Sequence, residues 1–260
     1  MDLELTGARV VVTGGAGGIG AAICRRLASE GARVVVHHHT SADRAESLAD
    51  EVGGIALRAD LTVAEEVDRL VTAAATFLGD VDAVVANAGV WPADPVPVWE
   101  LGLDRWRHTV DVDLTGTFLT VRAFLRHVAA RPEHARAPAI VLVGSTAGSV
   151  GEADHADYAA AKAAVQVGLL ASLKNEVVRL HPRARVNAVA PGWTVTPMTA
   201  DQLTAEAVDH ATATMALRKV GEPDDVAHAV AWLLSERTAG HVTGELVTVA
   251  GGMEGRRRWS

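Results

Sequence analysis

The chain has 260 residues, of which 49% are apolar and 22% charged, which excludes a disordered protein and allows a core that needs no disulfide or metal staples. Its formal net charge of −8 speaks against nucleic acid and anionic membranes as partners. No apolar run approaches the roughly 18 residues of a membrane span, the acidic start Met1-Asp2-Leu3-Glu4-Leu5 has no signal-peptide core, and Cys24 is the only cysteine, so a cytoplasmic protein is expected.

A β-branched run predicts a first strand over 9–13. It ends in Thr13-Gly14-Gly15-Ala16-Gly17-Gly18-Ile19-Gly20, where a helix over 18–30 begins. Glycines there let the backbone turn tightly and approach a pyrophosphate, which the helix N-terminus favours. A Gly-rich turn without a ligand is the plainer reading, but the strand–turn–helix context favours the phosphate cradle. A second strand over 33–38 runs into His37-His38-His39. Successive strand residues face opposite sides, so no metal site is expected from this triplet. A helix over 42–52 and a strand over 55–59 follow, ending at Ala59-Asp60-Leu61-Thr62. Asp60 could accept from an adenine amino group or cap the next helix, predicted over 63–78. After a strand over 83–86, the small residues of Asn87-Ala88-Gly89 could let the chain pass close to a flat ligand, or form a simple turn.

The second half continues the alternation: a helix over 103–130, a strand over 139–144 that ends beside Ser145, a helix over 156–180, a strand over 185–190, a helix over 224–234 and a strand over 246–249. Regular β-α alternation with apolar strands predicts a doubly wound parallel sheet in one domain over 1–260, helices on both faces, and ligands at the carboxyl ends of the strands. The long excursion 191–219 interrupts the rhythm and is expected to cover the site as a lid, with a plain surface helix pair as the alternative.

Rare residues carry the chemistry. Tyr158 is the sole tyrosine, and Lys162 is one of three lysines with Lys174 and Lys219. Spaced i, i+4 in a helix, Tyr158 and Lys162 share a face. A neighbouring ammonium stabilises a phenolate, so Tyr158 could act as acid or base near neutral pH, with Ser145 holding the substrate oxygen.

These motifs, in this order, resemble the short-chain dehydrogenases/reductases from Gly7 to about Gly252, through Thr13-Gly14-x3-Gly18-Ile19-Gly20, Asp60, Asn87-Ala88-Gly89, Ser145, Tyr158-x3-Lys162 and Pro191-Gly192-x3-Thr196. The resemblance implies a Rossmann-type sheet of about seven strands, usually assembled as a tetramer or dimer. It implies that Tyr158 exchanges a proton with the substrate oxygen, that Ser145 orients that oxygen, and that Lys162 lowers the phenol pKa and binds the nicotinamide ribose. By the same likeness Gly14, Gly18, Ile19, Gly20, Asp60, Leu61, Asn87, Ala88 and Gly89 line the cofactor, and Pro191, Gly192, Thr194 and Thr196 hold its nicotinamide end. The family commonly has asparagine where this chain has Asp113, within Val112-Asp113-Leu114-Thr115-Gly116-Thr117-Phe118. That asparagine supports a helix kink and a proton relay, so Asp113 joins the catalytic candidates and puts the relay in question.

No acid follows the second strand to hold a ribose 2′-hydroxyl. His38 and His39, with Thr40 and Ser41, can donate to a 2′-phosphate instead, although the glycine loop carries no basic residue. NADP(H) is therefore expected, with NAD(H) as the alternative. The activity expected is reduction of a small-molecule ketone to a secondary alcohol. The alternatives are an NAD-dependent alcohol dehydrogenase, or a nucleotide-binding protein impaired in catalysis by Asp113. Trp91, His155, Trp193 and Met198 are candidate substrate residues; His155 could equally be a plain loop histidine. A homotetramer is expected. Arg256, Arg257 and Arg258 read as a solvated tail or a contact with a neighbouring subunit.

Overall fold

The computed structural model describes residues 2–253 except 132, 134 and 214; Arg256–258 lie outside the described residues. One parallel sheet has the order β3-β2-β1-β4-β5-β6-β7. Its strands are β1 (Arg9–Val12), β2 (Arg33–His38), β3 (Ile55–Arg58), β4 (Ala83–Ala86), β5 (Ala139–Val143), β6 (Arg185–Pro191) and β7 (Leu246–Val249). The winding reverses between β1 and β4, which opens a crevice at their carboxyl ends.

The core follows the period of two along each strand. Val10, Val12, Val34, Val36 and Val141 face a layer made by α1 (Gly18–Ser29), α2 (Ala42–Val52) and α7 (Pro223–Leu234), through Ile23, Leu27, Leu48 and Val230. Val11, Val35, Val84, Ile140 and Leu142 face the other layer, made by α3 (Ala64–Leu78), α4 (103–130) and α5 (156–176), through Leu78, Phe124, Val165 and Leu173. Glycine in the left-handed conformation ends α2 at Gly53 (φ 63°) and α3 at Gly79 (φ 87°).

The two longest helices are not regular. A π turn at Asp111–Thr115 interrupts α4, and another at Ala164–Leu169 interrupts α5, which closes in a 3-10 turn at Val177–Arg179. Periodicity alone predicts unbroken helices, because one extra residue in a turn barely disturbs an apolar stripe. The 191–219 excursion contains one α-helix among its described residues, α6 (Ala205–Thr212), and a bridge between Thr194 and Gly221 ties its start to the chain just beyond its end.

Candidate active site

A cavity of about 710 Å³ opens at the carboxyl ends of β1, β2, β4, β5 and β6. At its floor, the glycine loop is held by side chains from distant strands. Thr13 Oγ1 accepts from the backbone N–H groups of Asn87 (3.0 Å) and Ala88 (3.1 Å). Asn87 Nδ2 donates to the carbonyls of Thr13 (2.9 Å) and Gly14 (3.2 Å). Asn87 thus lines the cavity while its amide clamps the loop. A Cβ on Gly14 would stand 2.8 Å from Ala88 Cα, and one on Gly20 2.2 Å from the Gly14 oxygen. Only glycine permits this cradle. No side chain caps the start of α1, so its first N–H groups remain available to an anion. Thr196 and Pro197 of the excursion cross directly over Gly18.

His37 was missed as a site residue. Its Nδ1 accepts the Gly14 N–H at 3.0 Å, so the proton sits on Nε2, which donates to the Ala59 carbonyl at 3.0 Å. Burial pushes this imidazole down to about 4. A charged His37 cannot accept from Gly14, so the neutral ring is the strut between the glycine loop and the end of β3. The unfolded chain takes up a proton near its ordinary 6.5 while the folded one does not. Stability from this group is therefore complete above pH 6.5 and falls as the pH drops toward 4, by about 3 kcal/mol in total. Urea midpoints followed from pH 7 to pH 4.5 should fall more steeply for the wild type than for His37→Asn.

His38, His39, Thr40 and Ser41 line the next part of the cavity with Asp60 and Leu61. His38 Nδ1 is buried without a hydrogen-bond partner, and Ser41 Oγ accepts from Arg44 at 2.7 Å. One oxygen of Asp60 is taken by the Thr62 N–H (2.9 Å) and hydroxyl (2.7 Å), and the other lies 3.8 Å from His39 Nε2. Asp60 does not cap α3, whose N-cap is Val63 with no side-chain cap; it holds the turn at Thr62 and borders the cavity. The cradle that a Cβ would fill, the uncapped helix start and the orphaned His38 nitrogen fit a dinucleotide with an elongated, phosphate-bearing body.

At the far end, Tyr158 and Lys162 sit one turn apart on α5, with Lys162 Nζ 5.6 Å from the phenol ring centre. Lys162 donates to the Val143 carbonyl at 3.2 Å and lies 3.7 Å from Asp113 Oδ2. The π turn of α4 brings Asp113 here, fully buried, its Oδ1 accepting from the Val90 N–H at 2.7 Å. A Cβ on Gly89 would stand 3.0 Å from Lys162 Nζ, so Gly89 makes room for this pair. Burial raises the Asp113 carboxyl above its usual range, against the pull of Lys162 and the Val90 hydrogen bond. Burial opposes charge on Lys162 as well, but Asp113 and Tyr158 outweigh it and hold the ammonium above its ordinary value. Burial also pushes the Tyr158 phenol up; Lys162 and a hydrogen bond with Ser145 pull it down, while Asp113 and Glu152 add to the rise. The sequence argument expects a lowered phenol. Lys162 acts in that direction, but desolvation wins.

Ser145 Oγ accepts from the Ala147 N–H at 3.1 Å, and the Ser145 N–H donates to Gln166 Oε1 at 2.8 Å. Gln166, buried one turn beyond Lys162, also donates to Ser149 Oγ at 2.7 Å. Sequence reasoning missed this orienting residue, although the polar row Tyr158–Lys162–Gln166 on an apolar helix was its signal.

Trp91, Trp193 and Met198 line the cavity's outer end together with Glu152. His155 does not. It is buried behind Trp91, stacked on it at 4.9 Å, with Nε2 at 2.9 Å from the Pro92 carbonyl. The i, i+3 spacing from Tyr158 suggested a substrate contact, but Trp91 fills the space between. Pro191 ends β6 and borders the cavity with Gly192, Thr194 and Thr196; Thr194 Oγ1 donates to the Gly192 carbonyl at 2.9 Å. Ile19 and Ala88 complete the lining around the loop.

Residues 14–254 match the family model described as enoyl-(acyl carrier protein) reductase. Among curated proteins, the chain is 40% identical over 249 residues to a cis-4-hydroxycyclohexanecarboxylate dehydrogenase of Sinomonas cyclohexanicum, covering 93% of this chain and 94% of that one. It is 37% identical over 258 residues to 3beta-hydroxysteroid dehydrogenase 1 of Eggerthella lenta, covering 96% and 95%. It is 32% identical over 254 residues to a 3-oxoacyl-[acyl-carrier-protein] reductase of Synechocystis, covering 96% and 98%.

Proposed function

This chain belongs to the short-chain dehydrogenase/reductase family of NAD(P)-dependent oxidoreductases acting on CH–OH and C=O groups, and from that premise we propose that it is an NADP(H)-dependent reductase of a ketone to a secondary alcohol. The observation that carries this reading is the Ser145–Tyr158–Lys162 set at one end of the cavity whose other end is the glycine cradle. A bound nicotinamide would supply the hydride. Ser145 and Tyr158 hold the carbonyl oxygen, and the Tyr158 hydroxyl delivers the proton to it. Lys162, kept charged by Asp113, stabilises the phenolate left behind.

A raised phenol stays protonated at neutral pH, which suits reduction; oxidation needs the phenolate and is expected to rise only toward alkaline pH. Asp113 contributes to that rise in pKa. Asp113→Asn removes the negative charge, lowers the phenol and should move the kcat–pH profile of alcohol oxidation to lower pH. Profiles of both proteins in the oxidative direction check this; identical profiles would mean that Asp113 carries no charge during turnover.

For the cofactor, the His38, His39, Thr40 and Ser41 rim, with Arg44 on Ser41, offers donors and no carboxylate of its own for a 2′-phosphate. Glu46 lies within electrostatic reach of His38 and opposes this in part. The test is kcat/KM for NADPH against NADH with one ketone. NADPH should lead by about tenfold or more, a difference of ~1.4 kcal/mol, and a clear NADH preference reverses the assignment.

The remaining readings belong to the same proposal. Residues 191–219 act as the cover of the site, supported by Thr196 and Pro197 over the glycine loop and by Met198 in the lining. The protein assembles as a homotetramer, supported by Trp106 and Phe118 on α4 and Val167 on α5, all exposed. No helix among the described residues is long and apolar enough to cross a membrane. A cytoplasmic setting is supported by the lone thiol, Cys24, which is buried and pushed up to about 12 by that burial.

A further inference from the structure

Glu152 is the residue at the substrate end that the reaction does not use. Its carboxyl group lines the cavity beside Trp91, Trp193 and Tyr158. Oε1 accepts from the Trp91 indole N–H at 3.0 Å and lies 3.5 Å from His155 Nδ1. No donor among the described residues holds Oε2 by a hydrogen bond. Trp91 is itself fixed, stacked on His155 at 4.9 Å and meeting Trp193 edge-on at 6.0 Å. The carboxylate is therefore presented on a rigid aromatic wall rather than on a mobile side chain. No arginine lines this cavity, and its one lysine, Lys162, is engaged by Asp113 and the Val143 carbonyl. Burial raises the Glu152 carboxyl above its usual range, while Trp91 and His155, the one cation-capable group beside it, pull it down. With one oxygen uncommitted, this acid accepts hydrogen bonds and, when ionised, repels anions.

We propose that Glu152 selects the substrate: a ring-sized ketone or alcohol bearing a hydrogen-bond donor, hydroxyl or ammonium, on the side away from the reacting carbon, with substrates bearing a carboxylate there rejected. Trp91 and Trp193 pack against the ring, and Glu152 accepts from the donor. The proposal rests on the oxidoreductase reading of the same cavity and names the substrate class within it.

The test uses four rings of similar size: cyclohexanones carrying at C4 a methyl group, a hydroxyl, an ammonium or a carboxylate. In the wild type, kcat/KM should favour hydroxyl and ammonium over methyl by about tenfold, the worth of one hydrogen bond to a charged group, and place carboxylate last. Glu152→Leu should reduce the hydroxyl-to-methyl ratio to about one and raise carboxylate relative to methyl. Glu152→Gln, which keeps the shape and an acceptor for Trp91, should erase the ammonium and carboxylate discrimination while keeping part of the hydroxyl preference. The same four compounds titrated into Tyr158→Phe, followed by tryptophan fluorescence, give the order of binding without turnover. Binding in the proposed order without any turnover in the wild type would sink the reductase reading and support Glu152 as the selector. Turnover with ratios that Glu152→Leu and Glu152→Gln leave unchanged, or a wild type that prefers the carboxylate, would overturn the assignment of Glu152.

Discussion

Tyr158→Phe should lower kcat by about 10²–10⁴-fold, the contribution typical of a positioned proton donor. The substitution deletes one oxygen and leaves the ring that packs over Lys162 Nζ at 5.6 Å. No other phenol exists in the chain to replace it. Ser145 remains to hold the carbonyl oxygen, but its hydroxyl is a far weaker acid and already accepts from the Ala147 N–H. The cradle at the other end of the cavity is untouched, so affinity for the reduced cofactor, followed by its fluorescence, should stay close to that of the wild type. Loss of turnover with retained cofactor binding is the expected pair of results, and a near-normal kcat would remove Tyr158 from the chemistry.

Arg105→Ala is expected to cost about 3–5 kcal/mol of stability, because it strands a buried charge. Asp157, fully buried at the start of α5, receives Arg105 Nε at 3.0 Å, Arg105 Nη2 at 3.3 Å and Thr109 Oγ1 at 2.9 Å. Burial opposes the charge on Asp157, yet Arg105 and Thr109 hold its carboxyl below the usual range. Arg105 Nη1 also donates to the Asp94 carbonyl at 2.6 Å. One guanidinium thus fastens α4, the loop after β4 and the first turn of the helix that carries Tyr158. The melting temperature should fall by about 10 °C, and kcat should fall with it, since Asp157 precedes the proton donor. Replacing both partners by apolar residues, Arg105→Met with Asp157→Leu, should recover much of the stability, because no charge is then left unpaired. A melting temperature within ~2 °C of the wild type for Arg105→Ala would show that water reaches Asp157 and that the pair is not buried in effect.

Each of the seven strands lies where the β-branched runs predict it, within one residue at its ends, and the glycine loop follows β1 as its spacing requires. Tyr158 and Lys162 share a helix face, as i, i+4 spacing dictates. These features are local, written in periods of 2 and 3.6 or in contiguous glycines, and a single sequence displays them directly. The identity of the reacting group was legible for a further reason: a chain with one tyrosine offers one phenol.

The partners of those residues were not legible, because they come from far along the chain. The proton on His37 sits on Nε2 because Gly14, 23 positions earlier, donates to Nδ1. Ser145 is oriented by Gln166, 21 positions later, and Asp113 reaches Val90, 23 positions earlier, through a π turn that leaves little trace in the apolar pattern. The i, i+3 spacing that pointed His155 at the substrate assumes helix geometry, but His155 lies just before the helix as its N-cap (φ −133°), and its ring stacks on Trp91. Charge follows the same division. Lys162 beside Tyr158 is readable from spacing and argues for a lowered phenol, whereas the closing of both helices over the pair sets the dielectric around them, and desolvation reverses the sign. Sequence by itself determined the strands, the main helices and which groups can react, but not the π turns that interrupt α4 and α5. Only the tertiary structure decided the protonation and orientation of those groups, since both depend on burial and on hydrogen bonds made between segments that meet only when the sheet closes.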